Sequence, residues 1–119
     1  MSMFKSLNHK LLAAMFISGG ADAFLHPEPR AAKAADVGVP EAHSAAVLNA
    51  ALMLVGGTLL ALDIAPKLAA LILAGTLIPT TYVGHRCWEE QNPGNRKNQQ
   101  IHFLKNLALI GGLLEVLFE

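Results

Sequence analysis

The chain has 119 residues, of which 53% are hydrophobic and only 15% are charged, whereas an average soluble domain carries about 25% charged residues. Nine basic and nine acidic residues give a net charge of zero, which argues against the basic surface of a nucleic-acid-binding protein. The single cysteine, Cys87, excludes an internal disulfide and any paired-cysteine zinc or redox motif.

Two uncharged segments, 45–62 and 68–84, lie in the middle of the chain. Each approaches the roughly 20 apolar residues that a membrane-spanning helix needs. We therefore predict an all-α fold, an integral membrane four-helix bundle that uses residues 1–119 as one domain. The predicted helices cover about 7–25, 40–62, 66–84 and 100–118.

The first predicted helix, 7–25, ends where Pro27 and Pro29 prevent its continuation. Lysines precede its apolar part, and Ala21-Asp22-Ala23 is similar to a signal-peptidase site. A cleaved secretory signal is therefore the alternative to a retained first helix.

The second predicted helix follows a polar connector, 30–39, and starts at Pro40, a residue that favours the first helical position. The third starts at Pro66 and contains Pro79, where we expect a kink. Because only a few residues join these two helices, they are predicted to be antiparallel neighbours.

The last predicted helix, 100–118, follows a hydrophilic loop that contains Pro93 and Gly94. Its end, 114–119, reads L-E-V-L-F-E. This segment is similar to a protease cleavage tag that has glutamine at the position of Glu119. We interpret 114–119 as a tag scar, and a native helix end is the alternative.

Four alternating spans bring four helix ends to one side of the membrane, and each of these ends carries a histidine: His26, His43, His85 and His102. They lack the close ligand spacing that is typical of zinc sites, so we predict no metal and regard these four as weak candidates only.

Asp22 and Lys105 lie about one turn inside the membrane from that same side, on the first and last predicted helices. A charge in hydrocarbon costs several kcal/mol unless it is paired or hydrated. We therefore predict that Asp22 and Lys105 face the interior and form an ion pair or share a polar network. The network would bind a quinone head group or relay protons, and its members are Asp22, His26, Asn49, His85, His102, Lys105 and Asn106. The alternative is a purely structural ion pair that fixes helix register.

Two motifs in the second half are typical of a known family. The letters G-H-R-C-W-E-E occupy 84–90, and N-Q-Q-I-H-F-L-K-N-L-A-L-I-G-G-L-L occupy 98–114. Together they resemble the closing motif of the DoxX family of small four-helix membrane proteins, with F-x-K-N-L-A-x-x-G-G at 103–112 as the most specific part. The opening is similar too, through Ser18-Gly19-Gly20 with Asp22, G-V-P-E at 38–41 and the glycine pair of the second predicted helix.

The resemblance implies a multi-pass protein of the bacterial inner membrane, in contact with the lipid bilayer. It further implies an accessory or quinone-interacting subunit of a membrane oxidoreductase assembly, with a protein partner or as a homo-oligomer. Such a subunit is not an enzyme on its own. The motif positions carried over are His85, Trp88, Phe103, Lys105 and Asn106. A structural or assembly protein without redox chemistry is the alternative.

Overall fold

The computed structural model describes residues 3–84 and 91–119, apart from the side chains of 83 and 84. These residues form five helices and no strand, which confirms the all-α fold and corrects the predicted number of four. The helices are α1 (Met3–Leu25), α2 (Glu28–Asp36), α3 (Ala42–Ala61), α4 (Pro66–Gly84) and α5 (Pro93–Leu117).

The additional helix, α2, occupies the predicted polar connector. Its N-cap is Pro27, and Pro29 lies in its first turn, where a proline leaves no hydrogen bond unmade. Glu28 in the first turn and Lys33 in the last turn complement the helix dipole. The sequence analysis used the prolines only to end α1, although they also begin α2.

The last helix, α5, begins at Pro93 rather than near residue 100. The side-chain oxygen of Asn92 accepts a hydrogen bond from the backbone N–H of Asn95 at 3.1 Å, and so caps the helix. Because of this cap and the proline in the first turn, the polar residues 93–99 are helical, although they were predicted to form a loop.

The helices approach closely where glycine leaves room. A Cβ atom added to Gly57 of α3 would lie 2.9 Å from the side chain of Ile17 in α1. One added to Gly56 would lie 2.9 Å from the side chain of Leu73 in α4. Small residues at such contacts are a usual means by which membrane helices pack together.

Many large apolar side chains are exposed on the outside of the helices. Only 28% of the apolar window in Ala42–Ala61 and 17% of that in Pro93–Leu117 is buried, and both helices are long and apolar enough to cross a membrane. Leu52 and Val55 of α3 and Leu104 of α5 are among the exposed side chains. The core helix of a soluble protein would be mostly buried, so this surface is of the kind that lipid covers.

Alternating chain direction gives the molecule two different ends. The start of α1, the turn between α3 and α4 and the end of α5 meet at what we call the His9 end. The end of α1, α2, the start of α3 and the last part of α4 meet at the opposite, pocket end.

Candidate functional site

A cavity of about 450 Å³ lies between α2, α3 and α4 at the pocket end. Its volume is within the range of small-molecule sites. Two cationic side chains of α2, Arg30 and Lys33, stand at its wall, and Asn49 and Thr80 contribute polar atoms from α3 and α4. The remaining lining is mostly apolar: Pro29, Ala34, Val39, Ala45, Ala46 and Pro79. The cavity thus combines an apolar wall with a few hydrogen-bond donors.

Hydrogen bonding fixes the orientation of the Asn49 amide. The hydroxyl of Thr80 donates to the carbonyl oxygen of Thr76 at 2.7 Å, so its oxygen is left to accept. Asn49 Nδ2 donates to that oxygen at 2.9 Å, and its other close contact is the Met53 sulfur at 3.9 Å. One amide N–H is therefore strongly engaged and the other only weakly, beside the cavity.

Asp22 pairs with Arg30 rather than with Lys105. Asp22 Oδ2 lies 3.3 Å from Arg30 Nη1, and the Asp22 side chain is 64% exposed. Lys105 is exposed on α5, so the predicted inward-facing Asp22–Lys105 pair is wrong. Arg30 is not recognisable as a partner from the sequence, where 30–39 is predicted to be a polar connector, whereas α2 brings it close to the end of α1.

Asn106 is buried and joins α5 to α4. Its Nδ2 donates to Thr81 Oγ1 at 2.8 Å, while the Thr81 hydroxyl donates to the carbonyl oxygen of Leu77 at 2.7 Å. Asn49 of α3 and Thr80 of α4 form the same kind of hydrogen bond. Two threonines of α4 therefore serve as acceptors for asparagines of two neighbouring helices.

The four histidines predicted for one side have different environments. His26 and His43 are exposed, and His102 is partly buried. His85 lies outside the described residues, as does Trp88. Within residues 3–84 and 91–119, no group of three or more His, Cys, Asp or Glu side chains is placed to hold a metal ion.

A connected polar group lies at the His9 end, where the sequence predicts no site. His9 is completely buried, and its Nδ1 lies 2.8 Å from Asp63 Oδ1 while its Nε2 lies 2.8 Å from Glu119 Oε2. Ser6 Oγ and Lys10 Nζ donate to the second oxygen of Asp63 at 2.8 and 3.2 Å. The sequence signal was the lone His9 beside Lys10, one turn from Ser6, on an otherwise apolar helix.

Asp63 adopts a left-handed backbone conformation, with a φ of 57°, directly after α3. Glycine is the usual residue at such a helix end, and aspartate is among the side chains that tolerate it. The conformation lets the carboxylate reach α1. The hydrogen bond with His9, then that from Ser6, and the nearby Lys10 charge lower the pKa of Asp63 from 3.8 to about 2.

The segment 114–119 is part of the packed structure. Val116 is completely buried in the core, and Glu119 reaches His9. The interpretation of this segment as a tag scar stays a prediction.

Comparison with known proteins identifies the family. The family model named DoxX matches residues 10–86, which is more than half of the chain. The chain therefore belongs to the DoxX family, as the sequence predicted, and is a membrane protein of that family. The match ends before the motif at 103–112 that supported the prediction most. Searches of curated proteins and of solved structures found no match.

Proposed function

We propose that the protein is a multi-pass protein of the bacterial inner membrane, in which α1, α3, α4 and α5 cross the bilayer and α2 lies at its surface. The exposed apolar sides of α3 and α5 support this arrangement. The side chains of α2 fit a position at the membrane–water interface. Arg30 and Lys33 can reach the lipid head groups, while Ala34 is buried against the other helices.

Within that membrane protein, the pocket binds the head group of a quinone, and the chain acts as an accessory subunit of an oxidoreductase assembly. The cavity between α2, α3 and α4 is the observation that carries this proposal, because it joins an apolar wall to convergent donors. Quinone carbonyl oxygens accept hydrogen bonds, and Arg30, Lys33 and the second N–H of Asn49 supply them.

Asp22 has a positioning role in this scheme. Its carboxylate lies against Arg30 at 3.3 Å and so fixes the guanidinium at the cavity wall. His26, His102, Lys105 and Asn106 stay predicted members of the same polar region, and so does His85 outside the described residues. Electrons must come from a partner, because the sequence holds no flavin, haem or iron–sulfur motif.

Binding of a short-chain ubiquinone analogue to the purified protein in nanodiscs tests the pocket directly. We expect Asn49→Leu and the double variant Arg30→Gln/Lys33→Gln each to weaken binding about tenfold or more, since tenfold corresponds to one lost hydrogen bond of about 1.4 kcal/mol. Lys67→Gln removes an exposed cation at the other end of α4 and is the matched control. An unchanged Kd in the pocket variants would overturn the quinone assignment.

The assembly role needs a separate test on the complex from its own membrane. Native mass spectrometry after gentle extraction should show a co-migrating oxidoreductase subunit or a bound quinone. In that complex, Asp22→Asn should lower quinone-dependent turnover, because it removes the carboxylate that pairs with Arg30 at the cavity wall. Full turnover in this variant would contradict a role of Asp22 in the redox step.

A second candidate function is a structural or assembly protein without redox chemistry. It is favoured by the Asn49–Thr80 and Asn106–Thr81 hydrogen bonds, which tie three helices together without any ligand. In this case Asn106→Leu and Asn49→Leu would both reduce recovery of a partner, and neither would alter quinone binding. If the cavity binds quinone, Asn49→Leu weakens quinone binding and Asn106→Leu does not, because Asn49 lines the cavity and Asn106 does not. This difference separates the two candidate functions.

A further inference from the structure

We propose that His9, Asp63 and Glu119 form a proton-binding site, and that the bound proton holds the end of α5 against α1. The site requires 114–119 to be the native end of α5, which is the alternative to a tag scar. The site lies at the His9 end, opposite the pocket, and does not depend on the quinone assignment. Among the four histidines that the structure describes, His9 is the one at this end.

The geometry requires one more hydrogen than a neutral site contains. Both ring nitrogens of His9 lie 2.8 Å from a carboxylate oxygen, which is hydrogen-bond distance. An ionised carboxylate only accepts, and a neutral imidazole carries a single N–H. Two N···O contacts therefore need two hydrogens, so the cluster holds an additional proton, formally on His9.

A positive charge on His9 lies between two negatively charged side chains. His9 and Lys10 of α1 then carry two positive charges against the two negative charges of Asp63 and Glu119. Lys5 of α1, Lys67 of α4 and Glu115 of α5 are exposed. Their charges are largely screened by solvent, whereas those around the buried imidazole are screened much less.

Loss of the proton acts on one of the two contacts. Asp63 keeps donors from Ser6 and Lys10 at 2.8 and 3.2 Å, and its position is fixed by the turn between α3 and α4. For Glu119, His9 is the hydrogen-bond partner shown, and Glu119 lies just beyond the end of α5. When His9 keeps a single N–H, the lone pair of Nε2 faces the Glu119 carboxylate, and this contact opens.

The packing beneath the cluster limits the movement to the last turn of α5. A Cβ atom on Gly112 would lie 2.8 Å from the Leu12 side chain, so α5 and α1 are in close contact there. Leu113 is completely buried one turn before the end. Val116 is also completely buried in the core, so we expect only the residues beyond Val116 to separate from α1 while the rest of α5 stays in place.

Spin labels can report this separation in the full chain. Phe4→Cys and Phe118→Cys place labels at exposed positions, in a Cys87→Ser background reconstituted in nanodiscs. The distance distribution between them should be narrow at about pH 5 and become broader and longer by about pH 9, a range that spans ordinary histidine titration. Distances that do not change over this range would overturn the proposal.

Glu119→Gln is the decisive variant, because a glutamine amide brings its own N–H and can donate to a neutral His9. This variant should keep the narrow distribution at both pH values. His43→Gln removes an exposed histidine at the other end and should retain the transition of the parent chain. A transition that is the same in Glu119→Gln as in the parent would contradict the proposal.

Discussion

The two ends of the molecule use ionisable side chains in opposite ways. At the pocket end, the Asp22–Arg30 pair is long at 3.3 Å and exposed, and it borders an open cavity. At the His9 end, a buried imidazole lies 2.8 Å from each of two carboxylates. Exposed charges contribute little to stability and stay available to a ligand, whereas buried charges are committed to their partners.

Removal of His9 should therefore be the most damaging single change in polar residues. His9→Leu leaves Asp63 and Glu119 facing an apolar side chain, and we expect a loss of about 3 kcal/mol in the free energy of unfolding. The free energy of unfolding is measured by unfolding the protein in micelles that contain an increasing fraction of a denaturing detergent. His43→Leu at the pocket end is the control. Equal stabilities of the two variants would remove the distinction between the ends.

Acid should weaken the His9 end next, through Asp63. Its pKa is about 2 in the folded chain and 3.8 as the unperturbed value. As the pH falls below about 4, the unfolded chain takes up this proton first, so stability decreases between about pH 4 and about pH 2. In the Asp63→Asn variant, asparagine can adopt the same left-handed backbone conformation. The decrease in stability between about pH 4 and about pH 2 should be absent from this variant. A pH profile identical in both proteins would show that Asp63 is not ionically coupled to His9.

Asn106→Leu should have a smaller effect, of about 1 kcal/mol, because it removes one hydrogen bond between α5 and α4. Asn49→Leu should cost less than this, since Asn49 is only partly buried beside the cavity. The same unfolding assay compares the two variants. A larger loss for Asn49→Leu would indicate that the pocket end is the more tightly packed of the two.

The smallest effect on stability is expected for Arg30→Gln, at less than about 0.5 kcal/mol, because its pair with Asp22 is exposed. The variant should nevertheless contribute to the loss of quinone binding. A destabilisation as large as that of His9→Leu would mean that Arg30 holds the fold together rather than a ligand.

The success of the sequence prediction follows the range of the interactions involved. The helix at 66–84 was predicted with the bounds that the structure shows, because proline and an uncharged apolar run define it locally. The helix α2 was missed, since the same prolines are compatible with a loop or a helix start. Asn49 stays a predicted site residue, and the presence of Arg30 and Lys33 beside it in the cavity depends on how α2 folds back.

The sequence by itself determined the family, the all-α fold and the apolar character of the helices, because these depend on composition and on residues near one another in the chain. Only the tertiary structure decided which charges meet. His9 lies 54 residues from Asp63 and 110 from Glu119, and no local pattern connects them. Their contact follows from the directions in which α1, α3 and α5 pack, and the exposed pairing of Asp22 with Arg30 follows from the fold of α2 in the same way.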